Sequence, residues 1–350
     1  MHGDRQIVST RYHGAVRDLR EFPTWLNQWA QQCGAFHAAV APASAPAGSE
    51  RLRQWLELGA HGGMDWWART VDQRADVRER WPTAQSVLVF AWPYDHAPQR
   101  PAQGVLPRIS RYARGRDYHT VLSRYMRKLR TLLIAQWGAT VADYSVDAGA
   151  VHEKLYAQAA GLGWIGRHSN LIHREYGSYF FLSALVTDLR WDAMGLEPVE
   201  PEFLCGSCSA CVDVCPTQAI APGGWVDAAR CVSYQTIEWP RAASTDALDD
   251  APAVGHGWLH GCDDCQEVCP WVRRARRVHG SQGMDAFAPH ARWAKLELSD
   301  LAQATDAQLA QWQQASPLAR ERASGLRSNA RRLLAGSGAM PRTDIGKEES

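Results

Sequence analysis

The stretch Cys205-Gly206-Ser207-Cys208-Ser209-Ala210-Cys211-Val212-Asp213-Val214-Cys215-Pro216 decides the reading of this chain. Its spacing, C-x2-C-x2-C-x3-C-P, is the run of bacterial two-cluster ferredoxins, in which the fourth cysteine ligates the other cluster. A second group, Cys262-x2-Cys265-x3-Cys269-Pro270, repeats the last three of these cysteines, since 208, 211 and 215 become 262, 265 and 269. The same shift places Leu259 at the missing position. Leucine cannot ligate iron, and Cys231, the one free thiol nearby, is assigned as the substitute. By the ferredoxin crossover rule one [4Fe-4S] cluster takes Cys205, Cys208, Cys211 and Cys269, and the other takes Cys215, Cys231, Cys262 and Cys265. Two structural zinc sites would also be satisfied by four thiolates apiece. The triple spacing and the Cys-Pro endings favour iron and sulfur.

Outside the cysteine array the composition is that of a globular protein: 350 residues, 45% hydrophobic and 21% charged, which excludes disorder, collagen and a pure coiled coil. The length suggests two or three domains. Thirty-eight Lys+Arg against 37 Asp+Glu leave +1, so binding to a polyanion would have to come from local clustering of charge. The longest apolar runs, around Ser86–Trp92 and Tyr179–Val186, are too short to span a bilayer and read as buried strands. Met1–Arg20 is charged throughout and lacks an apolar core, so no secretory signal is expected and the chain is placed in the cytoplasm. There clustered thiols stay reduced and point to metal. Cys33, apart from the array, reads as a small buried hydrophobe.

Periodicity predicts helices over Phe22–Ala38, Glu50–Gly59, Asp117–Trp137 and Ala150–Ala160, and strands over Val87–Trp92, Val141–Val146 and Ser178–Thr187. Ala41–Gly48, Pro93–Pro107 and Arg241–Ala253 read as loops. Asp300–Gln314 and Ser316–Ala335 read as helices. The resulting fold class is α+β, with a mixed catalytic domain over 1–195, a ferredoxin-like two-cluster domain over 196–280, a short helical C-terminal region over 281–335 and a disordered tail over 336–350.

Basic residues concentrate in three runs. Arg108–Arg130 holds eight Arg/Lys against the single Asp117; Arg273, Arg274, Arg276 and Arg277 follow the last cysteine; Arg320, Arg322, Arg327, Arg331 and Arg332 lie near the end. A cationic groove for a phosphate backbone is the reading favoured over a merely solvated face.

Several motifs accompany the cysteines: Ser110-Arg111-Tyr112-Ala113-Arg114-Gly115-Arg116-Asp117-Tyr118-His119, Val146-Asp147-Ala148-Gly149-Ala150, Ala160-Gly161-Leu162-Gly163-Trp164-Ile165-Gly166-Arg167-His168, Glu175-Tyr176-Gly177-Ser178-Tyr179-Phe180 and Gly261-Cys262-Asp263-Asp264-Cys265. Together they resemble the epoxyqueuosine reductases over about Glu50 to Arg332. The resemblance implies a cobalamin-dependent iron–sulfur enzyme, related to reductive dehalogenases, that converts epoxyqueuosine to queuosine in the tRNA anticodon loop. It implies Asp147 as proton donor, and cobalamin contacts from Arg74, Ser110, Asp147, Leu171, Leu182, Val232 and Asp263. A carboxyl beside an apolar corrin is expected to have a raised pKa. The partners implied are tRNA and an electron donor of unstated identity, with no membrane and a monomeric chain. Ala150 stands where many relatives have proline, and the C-terminal helical-repeat extension of some members is missing. His152 reads as a partly exposed histidine and not a cobalt ligand.

Two other readings stay open from the residues: a cobalamin reductase of a small molecule such as an organohalide, and an electron-transfer protein with no catalytic centre. The second leaves Asp147 unexplained.

Overall fold

The computed structural model describes residues 18–97, 107–200, 202–242 and 256–336. At its centre is a four-stranded antiparallel sheet in the order His37–Pro42, Ser86–Pro93, Phe180–Thr187, Ala142–Ser145. Both faces are covered, which is why the central strands read as continuous apolar runs. Along Ser86–Pro93 the side chains alternate between the faces. Leu88, Phe90 and Trp92 enter one core with Phe22, Leu26, Leu122 and Met126, from helices Phe22–Gln32 and Tyr118–Trp137. Val87, Val89 and Ala91 enter the other with Tyr156 and Ala157, from helix Glu153–Ala159.

The first helix stops at Gln32, short of the expected Ala38. Gly34 takes φ 98°, which only glycine adopts freely, and the turn sends His37–Pro42 into the sheet, so Ala41 and Pro42 are strand and not loop. The expected helix Ala150–Ala160 begins at Glu153, because 147–151 form an irregular loop. Asp300–Gln314 is two helices, Leu298–Gln303 and Asp306–Gln313, broken at Ala304 by the capping box of Thr305 and Gln308. Ser316–Ala335 divides into a 3-10 turn, Pro317–Arg320, and a helix, Ala323–Gly336. Arg241 and Ala242 end helix Val232–Ala242; the rest of the expected loop to Ala253, most of Pro93–Pro107, and nearly all of the 336–350 tail lie outside the described residues.

The cysteine-bearing segment is stitched to the sheet-bearing half. Arg108–Ile109 pairs in parallel with Trp258–His260, and a third core built on Ile109 and Leu259 receives Leu301, Leu309, Leu318 and Leu326 from the C-terminal helices. Leu259, at the position of the missing ligand, is thus fully buried in an apolar core. Among the described residues no helix is long and apolar enough to cross a membrane.

A buried ion-pair network locks the same junction. Arg276 contacts Asp95 at 2.7 Å and Glu267 at 2.8 Å, and Arg111 contacts the same two carboxylates at 3.3 and 2.8 Å. Burial works to raise the Glu267 carboxyl, but the two guanidinium groups override it and hold it down at about 2. Arg276, expected in a polyanion groove, is therefore a structural residue, and Arg114 (to Ile109 O), Arg327 (to Asp306) and Arg331 (to Ala302 O) are likewise engaged internally. Arg273, Arg274 and Arg277 of the same run are exposed. Reversing Arg276 to Glu puts a third carboxylate beside Asp95 and Glu267 with only Arg111 left to balance them, and should lower the unfolding temperature measurably. Reversing Arg273, Arg274 and Arg277 together should leave thermal unfolding within a degree or two of wild type; equal destabilisation of both variants would contradict this division.

Candidate active site

A cleft open to solvent lies where the sheet, helix Tyr118–Trp137 and the cysteine-bearing segment meet. Its apolar wall includes Tyr94, Phe180, Phe181, Leu171 and Leu182; its polar lining includes Asp147, Glu153, Lys154, Asn170 and Gln266. Phe180–Thr187 brings Leu182 to the wall by register with Ala91, and the short pair Trp164–Ile165 and Leu171–Ile172 brings Leu171.

Asp147 sits just beyond strand Ala142–Ser145 with φ 62°, a left-handed conformation that costs a non-glycine residue energy. The loop is folded so tightly that a Cβ at Gly149 would collide with the Ser145 side chain. Asp147 does not cap the following helix; His152 does, its Nδ1 accepting from the Leu155 amide. His152 is half-buried, and burial together with Lys154 and Arg74 holds its ring down at about 3.

The Asp147 carboxylate is held from one side. Tyr118 donates its hydroxyl to Asp147 Oδ2 at 2.6 Å. His119 Nε2 lies 3.3 Å from the same oxygen, and its Nδ1 lies 2.8 Å from Asp117. From the protein's own groups alone, the shift of Asp147 runs opposite to the rise expected beside a corrin. Although 63% of its side-chain surface meets water, it sits against a concave protein wall that works to raise its pKa, yet His119 and Tyr118 override this and the net shift is downward. The counterpart is His119, which burial works to lower and its two carboxylate neighbours raise above the ordinary histidine value. The two shifts are complementary: Asp147 is favoured as the carboxylate, and His119 keeps its proton to higher pH than a free imidazole would.

Of the other residues expected around a cofactor, Leu171 and Leu182 line the cleft. Arg74 is 3% exposed, its guanidinium 4.4 Å from the Trp67 ring and its Nε bonded to Thr70. Ser110 and Asp263 are spent on each other, the hydroxyl donating to Asp263 Oδ1 at 2.5 Å while Asp263 Oδ2 accepts from the Arg111 amide. Val232 is buried at the start of its helix. Sequence reasoning missed Glu153, Lys154, Asn170 and Gln266, whose short-range sequence context carries no signal for a site.

The eight cysteines of the array lie close enough to act on one another's charge. Cys211 feels the charges of Cys205, Cys269 and Cys208, and burial followed by that mutual repulsion pushes its thiol up to about 11. Burial is also the first cause that raises Cys265, Cys262 and Cys231; Cys231 adds to the rise of Cys265 and Cys262, Asp264 to that of Cys262, Cys215 to that of Cys231 and Cys265, and Cys211 to that of Cys265. Thiols so placed resist ionising together unless a cationic centre compensates them, which is what a bound cluster provides. Cys33 stands apart, 5% exposed, with its thiol raised to about 11 by burial.

Residues 204–272 match the family model described as a 4Fe-4S double cluster binding domain, and the segment is such a domain. Residues 74–148 match the model described as epoxyqueuosine reductase QueG, DUF1730. The epoxyqueuosine reductase of Gloeobacter violaceus is 39% identical over 311 residues, 88% of this chain and 94% of its own. That of Synechocystis is 38% identical over 300 residues, 84% of this chain and 99% of its own. A crystal structure of an epoxyqueuosine reductase with an epoxyqueuosine-modified tRNA-Tyr stem loop superposes with a TM-score of 0.77 at 23% identity, covering 91% of this chain and 82% of that one.

Proposed function

The chain belongs to the epoxyqueuosine reductase family, and on that premise we propose that it reduces epoxyqueuosine to queuosine in the anticodon loop of tRNA, with two [4Fe-4S] clusters passing electrons and Asp147 donating a proton. The observation that carries this reading is that one cleft is shared by an acid–base group and by the cluster domain: Asp147, held by Tyr118 and His119, faces the same space as Gln266, the neighbour of Cys265. An electron-transfer protein would have no use for that group.

The reaction converts an oxirane, two electrons and two protons into an alkene and water. Electrons arrive singly from an external one-electron donor. The clusters are Cys205, Cys208, Cys211, Cys269 and Cys215, Cys231, Cys262, Cys265. Asp147, ionised at rest, takes a proton from His119 across the 3.3 Å contact and presents it to the departing oxygen, and the second proton comes from the water that reaches the open cleft. Asp117, bonded to His119 Nδ1, favours the imidazolium that supplies it. Tyr118, whose hydroxyl burial keeps un-ionised, holds the carboxylate in line.

Cobalamin is the cofactor the family implies, and the residues present fit it: an open cleft lined by aromatic and aliphatic side chains together with amide, ammonium and carboxylate groups suits a large planar ring with polar edges. When bound it supplies a cobalt centre more reducing than any side chain. Leu171, Leu182 and Asp147 would contact it directly; Arg74, Ser110, Val232 and Asp263, to which the resemblance also points, are not among the residues lining this cleft.

The tRNA grip is assigned to exposed cations, Arg273, Arg274 and Arg277 together with Arg320, which lies 4.0 Å from Asp117 near the cleft. Binding should weaken steeply with salt. The Arg273→Glu, Arg274→Glu, Arg277→Glu variant should bind more weakly and with a shallower salt dependence, the slope falling by up to about one for each phosphate that is no longer neutralised. Unchanged affinity at every ionic strength would place the grip elsewhere. The reading predicts a cytoplasmic enzyme, so tRNA from cells lacking it should accumulate epoxyqueuosine; normal queuosine content in such cells would count against the function.

A further inference from the structure

We propose that Glu153 is a positioning residue whose carboxylate clamps the loop that carries Asp147, so that the carboxyl of Asp147 points into the cleft. The inference rests on the acid role given to Asp147 above, and adds to it the means by which that residue is held.

The geometry is that of a clasp. Glu153 is 9% exposed and begins helix Glu153–Ala159. Its Oε1 accepts two hydrogen bonds, from the Ser145 hydroxyl at 2.7 Å and from the Asp147 amide at 3.0 Å. It therefore ties the last residue of the strand and the strained residue of the loop to the first turn of the next helix. Asp147 stands at φ 62°, which the chain does not adopt without support. Removing the acceptor leaves that amide unsatisfied and the strain unopposed, so the loop should relax away from the cleft.

The charged groups around Glu153 are Asp147 from the loop, Arg74 from helix Val71–Ala75, and Lys154 from its own helix, with Ser145 supplying a neutral donor. Burial raises the Glu153 carboxyl to about 7; the Ser145 bond opposes the rise and the charge of Asp147 adds to it. The clasp is strongest when Glu153 is ionised, because a charged acceptor bonds more strongly than a neutral one. It should therefore loosen as pH falls through about 7.

The test is amide hydrogen exchange of the peptide spanning 146–152 in the holoprotein, corrected for intrinsic rates, with activity measured in parallel. Glu153→Ala should lower protection of that peptide by at least about tenfold, lower kcat, and leave binding of the anticodon stem-loop within about twofold of wild type. Glu153→Gln keeps an acceptor oxygen and should restore most of the protection. In wild type, protection should fall about fivefold from pH 8 to pH 6, whereas Glu153→Gln should stay flat. Wild-type protection in Glu153→Ala overturns the proposal. Should that variant fail to fold, parallel pH curves for wild type and Glu153→Gln overturn it instead. Exchange is read without turnover, so an enzyme that failed to act on epoxyqueuosine would leave this result standing on its own.

Discussion

Asp147→Asn should abolish most turnover while leaving the protein intact. Asparagine can still accept from Tyr118, so the loop and the cleft persist, but it has no acidic proton to give. General acid help is typically worth about 10²–10⁴-fold in rate, so single turnover should fall by at least about a hundredfold with iron content, cobalamin content and tRNA affinity retained. Because the His119 imidazolium supplies the proton and its pKa is raised, the wild-type rate should also decline as pH rises and the imidazolium is lost. Activity of Asp147→Asn within a few-fold of wild type would remove this carboxylate from the mechanism and leave Tyr118 or His119 as the acid.

Cys231→Ala should cost a cluster. Cys231 lies within electrostatic reach of Cys215, Cys262 and Cys265, and no other cysteine stands where Leu259 occupies the duplicated position. Iron content should drop from about eight to about four per chain, and turnover with an external one-electron donor should disappear. Cys33→Ala should keep full iron, since its thiol is buried apart from the array. Equal iron in wild type and Cys231→Ala would mean that some other group completes that cluster.

What can be read from the sequence and what cannot divide along a physical line. Cluster spacing is local, because each loop must bend its thiols around one small inorganic body, and the Cys205–Cys215 run states it outright. The strands are legible because burial on both faces leaves no polar residue in Val87–Trp92. The cleft is not legible. Lys154, Asn170 and Gln266 come from three separate segments and meet only through tertiary packing. Arg276 reads as one more surface cation until Asp95, far away in sequence, is found beside it. The downward shift of Asp147 is hidden for the same reason: burial can be foreseen from the neighbouring residues, but not the convergence of His119 and Tyr118 on one oxygen. The break between the two short C-terminal helices, by contrast, is written in Thr305-x-x-Gln308, a capping signal easily masked by the helix formers around it.

The most direct measurement is conversion of an epoxyqueuosine-containing anticodon stem-loop by the purified holoprotein with a chemical one-electron reductant, followed by nucleoside analysis. The account predicts queuosine formed at one equivalent per two electrons consumed, and none with Asp147→Asn on the same time scale. Reductant consumed by a fully loaded enzyme while epoxyqueuosine remains unchanged would contradict it.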